Sequence, residues 1–287
     1  QGTWHLVKFR LHVEHPVLLG LGVGTGLRRF RPLAVSPCAL VELRCLSLRE
    51  ALSLSLNTRV VSGEPMESRS KAQACILAGQ VTYKGEKILK SSQLLPLEAT
   101  LTLENPMPYV GRGGLKMENF LKETTWNLKG VHFLDLGAST GGFTDCLLQK
   151  GAASATCVDV GRGQLHYKLR IDERVTNIEK MNLKALEPHA LPFAQYTLVV
   201  MDLSFISLRQ VLPQAWQFVE NQGHLVSLVK PQFECEKKEA DLGRGVIKDT
   251  QIHQRVLQST KDLAEQKLLG SRLIIETPAK PQGGDGN

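Results

Sequence analysis

Four side chains stand where chemistry could be done: the acids Asp135, Asp159 and Asp202, and the lysine Lys230. Asp135 opens the stretch Asp-Leu-Gly-Ala-Ser-Thr-Gly-Gly-Phe-Thr, which runs to Thr144 directly after the apolar residues Val131 to Leu134. That order reads as strand, glycine loop, helix. A second acid, Asp159, ends the next apolar run, Ala155 to Val158. Two acids one strand apart are how open α/β sheets hold a nucleoside-containing cofactor.

The loop does not match the common phosphate cradles. A P-loop needs Gly-x-x-x-x-Gly-Lys-Ser/Thr, and here Gly137 and Gly142 are followed by Phe143. A dinucleotide fingerprint needs Gly-x-Gly-x-x-Gly, and Gly137-Ala138-Ser139 breaks it. An acid at Asp135 would also repel a pyrophosphate. It suits a cationic or zwitterionic ligand. S-adenosylmethionine, with an ammonium and a sulfonium, is such a ligand, and Asp159 could accept hydrogen bonds from its ribose hydroxyls. The alternative is a tight turn after a buried strand, its glycines serving geometry only.

The elements that must position these residues follow from periodicity. Strands are expected at 131–136, 155–160, 175–179, 198–203, 224–229 and 271–276, with helical patterns near 142–150, 207–219 and 251–269. This alternation predicts an α/β fold, a parallel doubly wound sheet. Ligands of such sheets bind at the carboxyl ends of strands, and Asp135, Asp159, Asp202 and Lys230 fall at or just beyond four of those ends. Upstream, Ser68 can cap a helix from Arg69 to Leu77. A Gly-turn hairpin over Val81 to Leu89 and a short strand at Leu101-Thr102-Leu103 complete a small unit, and Asn105-Pro106-Met107-Pro108 makes a stiff break after it. Residues 1–54 read as an unassigned, flexible or spurious extension. They are basic, with alternating Gly20, Gly22, Gly24 and Gly26, and they resemble a transit peptide only weakly.

With 287 residues the chain has length for two domains, and its net charge of +7 fits an anionic partner such as RNA as well as it fits a generic basic surface. No apolar stretch reaches membrane-spanning length; Val17 to Leu27 is too short. The six cysteines form no Cys-x-x-Cys pair and have no His at ligand spacing, so no metal is expected. Their scatter suits a reducing, cytoplasmic setting.

Taken together, the motifs resemble the hemolysin A (TlyA-type) ribosomal RNA methyltransferases, within the wider FtsJ-like ribose methyltransferases. The matching stretches are Ser68 to Gln73, Tyr109 to Lys116, Gly137 to Leu148, Val158 to Leu165, Asp202 to Leu208, Leu228 to Glu234 and Gly243 to Asp249. The resemblance spans residue 55 to the end. It implies a Rossmann-like S-adenosylmethionine-dependent methyltransferase domain over 131–287, with 105–130 as the linker and Lys116 helix. It also implies a small α+β RNA-binding domain of the αL type over 55–104. The reaction implied is methyl transfer to a ribose 2′-hydroxyl of ribosomal RNA, in isolated RNA or in ribosomal subunits.

That family uses a Lys-Asp-Lys-Glu set, and Lys116, Asp202 and Lys230 fill its first three positions. Lys230 is the candidate to steer, and to deprotonate, the hydroxyl. A free lysine has a pKa of about 10.4, so burial and a neighbouring cation would have to lower it. The resemblance assigns S-adenosylmethionine to Asp135, Gly137, Ser139, Thr140, Gly141, Gly142, Phe143, Thr144, Asp159 and Asn182, and RNA contacts to Arg69, Lys71, Gln73, Lys84 and Arg112. Two departures stand out. The family's Glu lies two positions after a Gly-Asn pair, which here is Gly286-Asn287, so the Glu and the strand that follows it fall beyond the last residue. The sequence therefore reads as truncated inside a motif; were this the real mature chain, an exposed strand edge would invite aggregation. The amino end has Ser55-Leu56-Asn57 in place of Arg-Leu-Asp, with Pro65 in the following connection, which puts the first helix of the small domain in question. The competing reading is a catalytically inactive RNA-binding or ribosome-associated protein that kept the fold.

Overall fold

In a computed structural model of the chain, the described residues are 4–12, 60–61, 69–77, 79–90, 93, 95, 99, 101–104 and 107–282. Ser68, Ser55 to Asn57, Pro65, the stretch Val17 to Leu27 with its glycines, and Gly286-Asn287 lie outside them. The chain divides into two units, one of residues 1–17 with 107–287 and the other of residues 18–106.

Along the chain come β1 (His5–Leu11), β2 (Val60–Val61), α1 (Arg69–Leu77), β3 (Val81–Tyr83), β4 (Glu86–Lys87) and β5 (Leu101–Leu103). Then follow α2 (Arg112–Lys122), β6 (His132–Leu136), α3 (Gly142–Gln149), β7 (Ser154–Val158), α4 (Tyr167–Arg170), β8 (Val175–Ile178) and β9 (Tyr196–Met201). The last are α5 (Leu212–Trp216), β10 (Val219–Val229), α6 (Pro231–Glu234), α7 (Lys237–Leu242), α8 (Thr250–Lys267) and β11 (Ser271–Pro278).

The larger unit holds a seven-stranded sheet in the order β11-β1-β10-β9-β6-β7-β8. The pairs from β10 through β9, β6 and β7 to β8 are parallel, as the near-continuous apolar runs predict for strands buried on both faces. Strand side chains alternate between two cores. Leu134, Leu136, Val199 and Met201 pack on one face with Val256, Leu257 and Ala264 of α8. Phe133, Leu198, Val200 and Val226 pack on the other with Met117 and Phe120 of α2 and Cys146 and Leu147 of α3. The order reverses between β6 and β9, which opens the crevice where such sheets bind ligands.

Two expectations are corrected here, the flexible extension over the first residues and the single helix over 207–219. Residues 5–11 are no flexible extension but a strand, and the edge beside β10 is not open. β1 lies between β10 and β11, antiparallel to both, with His5 opposite Val229 on one side and Pro278 on the other. Leu6 faces one core while Val7 and Phe9 face the other. The expected helix over 207–219 is also broken, into a 3-10 turn at Leu208–Gln210 and the short α5. Pro213 lacks an N–H and disfavours a helical residue before it, so the chain restarts the helix there.

The loop before α3 depends on one backbone conformation. Gly141 caps the helix at φ +90, and a Cβ there would lie 2.2 Å from Leu169 Cδ1. Gly141→Ala is expected to cost about 1–3 kcal/mol from strain and overpacking. A thermal unfolding midpoint equal to wild type would contradict that.

The smaller unit has a four-stranded sheet in the order β2-β5-β3-β4, in which β3 is antiparallel to β4 and to β5. Its core is Ile76, Val81, Ile88 and Leu101. The helix, hairpin and strand predicted from sequence all form.

A candidate active site at the strand ends

Parallel strands of similar length bring their last residues to one rim, and the sequence-predicted residues gather there. Asp135, the penultimate residue of β6, is 1% exposed. Its Oδ2 accepts a 2.6 Å hydrogen bond from Thr144 Oγ1, while Oδ1 is buried without a partner among the described residues. Burial is the main cause that pushes this carboxyl up to about 7, and the neighbouring Asp202 and Asp159 charges add to it. Asp159 follows β7 and is occupied by backbone. Its Oδ2 accepts from Ser139 N at 2.8 Å and its Oδ1 from Gly161 N at 2.7 Å. It therefore ties the glycine loop to the neighbouring loop, a role that spacing alone did not show.

Within the loop, Ser139 and Thr140 are exposed, Gly137 is half-buried, and Gly141, Gly142, Phe143 and Thr144 are buried. Phe143 packs in the core and Thr144 holds Asp135, so only their backbone is placed at the crevice. Asn182 is exposed beyond β8, where its Oδ1 accepts from Lys184 N at 3.0 Å and caps a short turn. The glycines also let α2 and α3 touch: a Cβ on Gly142 would lie 2.9 Å from Gly114 N. That contact fixes α2, which carries Lys116 two residues further on.

Lys116, Asp202 and Lys230 converge. Lys230 is the residue after β10 and Asp202 the residue after β9. Lys230 Nζ pairs with Asp202 Oδ1 at 2.6 Å and donates to Ser204 Oγ at 2.9 Å. Lys116 is 5% exposed, and its amine is lowered to about 8, chiefly by burial. Asp202 opposes that shift, whereas the Lys230 and Arg112 charges reinforce it. Arg112 itself is exposed at the start of α2.

Four features were not singled out from sequence. Phe205 is 92% exposed at φ +63, and its ring lies 5.3 Å from that of Phe233. These two rings, with Gln232 and Arg244, line a cleft of about 460 Å³. Glu234 accepts from Ser207 Oγ and Leu208 N, both at 2.7 Å, and so anchors the loop after Asp202 to α6. The Trp4 ring lies over Lys116. Phe205, Phe233 and Glu234 sit inside motifs already noted; Trp4 had no such signal.

In the smaller unit, Arg69 and Lys71 are placed on α1, but their side chains lie outside the described residues. Gln73 is half-buried on the same helix, and Lys84 is exposed at the hairpin turn with its Nζ 5.4 Å from the Tyr83 ring centroid. Among the described residues, no helix is long and apolar enough to cross a membrane. Nor do three or more His, Cys, Asp or Glu side chains gather as a metal site there.

A family model described as FtsJ-like methyltransferase matches residues 109–284. Hemolysin A of Brachyspira hyodysenteriae is 36% identical over 223 residues, covering 77% of this chain and 91% of its own length. The 16S/23S rRNA (cytidine-2'-O)-methyltransferase TlyA of Mycobacterium tuberculosis is 38% identical over 201 residues, covering 69% of this chain and 74% of its own. A solved structure from Streptococcus thermophilus, described as a candidate hemolysin, is 36% identical with a TM-score of 0.57, over 70% of this chain and 74% of that one.

Proposed function

Since this chain belongs to the FtsJ-like methyltransferase family, we propose that it transfers a methyl group from S-adenosylmethionine to a ribose 2′-hydroxyl of ribosomal RNA. The observation that carries this reading is the convergence of Lys116, Asp202 and Lys230 at the strand ends, beside a glycine loop flanked by two acids. Relatives named as ribosomal RNA 2′-O-methyltransferases support the substrate. The residues fit the cofactor: Asp135 Oδ1 is a buried acceptor without a partner among the described residues, beside a glycine loop whose Ser139 and Thr140 are exposed. Asp135, Asp159, the loop backbone and Asn182 would hold it. The smaller unit, with Gln73 and Lys84 on its surface, reads as the αL-type RNA-binding domain, to which Arg69 and Lys71 would contribute.

S-adenosylmethionine, when bound, supplies a methyl group already activated on a sulfonium. A ribose hydroxyl is a weak nucleophile near neutral pH, so the protein must align it and accept its proton. Asp202 and Ser204 fix the Lys230 amine in direction. In its neutral form Lys230 would take the hydroxyl proton; in its charged form it would stabilise the oxyanion. Phe205 and Phe233 present aromatic faces beside this point, suited to stacking on an unstacked base.

The test is transfer of labelled methyl to unmodified ribosomal subunits, followed by alkaline hydrolysis of the RNA. Label in alkali-resistant dinucleotides establishes 2′-O-methylation. RNA binding without any transfer would instead favour an inactive RNA-binding protein.

Asp135 makes the cofactor's binding pH-dependent. Its folded pKa is about 7, above the ordinary value near 3.9, so folding takes up a proton between those limits. Its contribution to stability is full below pH ~4 and is lost as pH rises through 7. A bound cation favours the ionised carboxylate, so S-adenosylmethionine should release a proton from Asp135 and bind more tightly as pH rises from about 6 to 8. Calorimetry in buffers of different ionisation enthalpy measures that proton. An equal release in Asp135→Asn would assign it elsewhere.

A further inference from the structure

Lys116 and Lys230 bring two amines into a nearly dry corner of the molecule, each only 5% exposed. Asp202 pairs directly with one of them. The side chain laid against both is Trp4. Its ring centroid is 3.6 Å from Lys116 Nζ and 5.0 Å from Lys230 Nζ. Sheet topology puts it there. β1 runs antiparallel to β10, so its first residues arrive at the carboxyl end of β10, where Lys230 stands. His5 is opposite Val229, which places Trp4 beside Lys230. On the other side, Ala279 N donates to the Trp4 carbonyl at 2.7 Å, so the backbone carrying the ring is held from both neighbours.

The ring's orientation is informative. A buried indole N–H usually finds an acceptor, yet Trp4 Nε1 is buried and has none among the described residues. The contact that the ring does make is through its face, to ammonium groups. An aromatic face attracts cations through its quadrupole and brings no formal charge. A carboxylate in the same place would bind both protons more firmly.

We propose that Trp4 is a positioning residue of the methyl-transfer site, its ring face seating the Lys116 and Lys230 amines side by side without neutralising them. The proposal rests on the methyl-transfer reading above. Trp4 touches neither cofactor nor RNA in it; it acts through the lysines. The strand that completes the sheet thereby also completes the site.

Three substitutions in the full chain test this. Trp4→Phe keeps an aromatic face and should hold kcat within a few-fold of wild type. Trp4→Leu keeps bulk without a quadrupole and should lower kcat about tenfold with KM for S-adenosylmethionine unchanged. Trp4→Glu sets a carboxylate beside both amines and should move the acid limb of the kcat profile up by about one pH unit. Asp202, Lys230 and Arg112 also face Lys116, and they stay constant across the series. If Leu and Glu leave kcat and its pH profile as in wild type, or lower kcat only in step with the melting temperature, Trp4 is packing and the proposal is overturned.

A second readout needs no activity. The difference in tryptophan emission between wild type and Trp4→Phe should titrate with Lys116, near pH 8, and should lose that titration in Lys116→Met. A difference that is flat with pH overturns the contact itself. Absence of methyl transfer by the wild type, with the emission titration present, would instead remove the functional reading and leave the contact standing.

Discussion

Lys230→Ala is expected to reduce methyl transfer to RNA by about 10²–10⁴-fold, the range for losing a positioned proton acceptor. S-adenosylmethionine affinity should stay within a few-fold of wild type, because the residues assigned to the cofactor lie on the β6, β7 and β8 side of the crevice. The argument is geometric first. Lys230 is held by two contacts, 2.6 Å to Asp202 and 2.9 Å to Ser204, and lies at the end of a strand buried on both faces. The amine cannot wander, so its removal deletes a fixed group rather than one of many. It also leaves Asp202 without its partner, and Asp202 is 25% exposed, so water can hydrate it in part. A modest loss of stability is therefore expected beside the large loss of rate. Single-turnover transfer and cofactor titration, run on the same preparation, separate the two. A variant that keeps its rate would remove Lys230 from the mechanism; a variant that loses cofactor binding equally would make it a ligand residue.

The second large effect lies far from the chemistry. Phe9→Ala should destabilise the larger unit by about 3–5 kcal/mol, the usual cost of emptying a fully packed aromatic site. Phe9 is 2% exposed, faces the core that α8 covers, and is opposite Leu225 and Leu273 on the two flanking strands. Chemical unfolding followed by a signal from the larger unit measures the change. A loss below about 1 kcal/mol would mean that β1 is dispensable to the sheet, and would undercut the role given to Trp4 as well.

How much of this was legible depends on the range of the interaction. The parallel strands β6, β7, β9 and the second half of β10 read directly from apolar runs, since each buries both faces locally. Asp135, Asp159, Asp202 and Lys230 could be placed at the rim because a strand's carboxyl end is visible in sequence. β1 was not legible for the opposite reason. Its pattern, His-Leu-Val-Lys-Phe-Arg-Leu, carries basic residues on alternate positions, and its partners β10 and β11 are separated from it by the whole of the smaller unit. Lys8 shows how misleading such a residue is: it is 5% exposed, held 4.0 Å from the Trp126 ring centroid, and burial lowers its amine to about 8. Pattern reading sends a lysine to solvent; a facing indole can bring it inside. The same long-range pairing hid Trp4. Asp159 was placed correctly but its backbone partners were not, because loop hydrogen bonds follow from three-dimensional closure and not from spacing.

The position of β1 sets a timetable for the molecule's assembly. His5 pairs with Pro278, so this contact joins residues far apart in sequence. Loops of that size close late and slowly, since non-local pairing must offset the entropy of the intervening chain. On the ribosome, residues 5–11 emerge well before β10 and β11 and wait with an apolar face uncovered until those strands follow. Trp4 reaches the two lysines only when that pairing is made. Until then the two amines would stay unseated, so the site would be assembled only after β10 and β11 have been made.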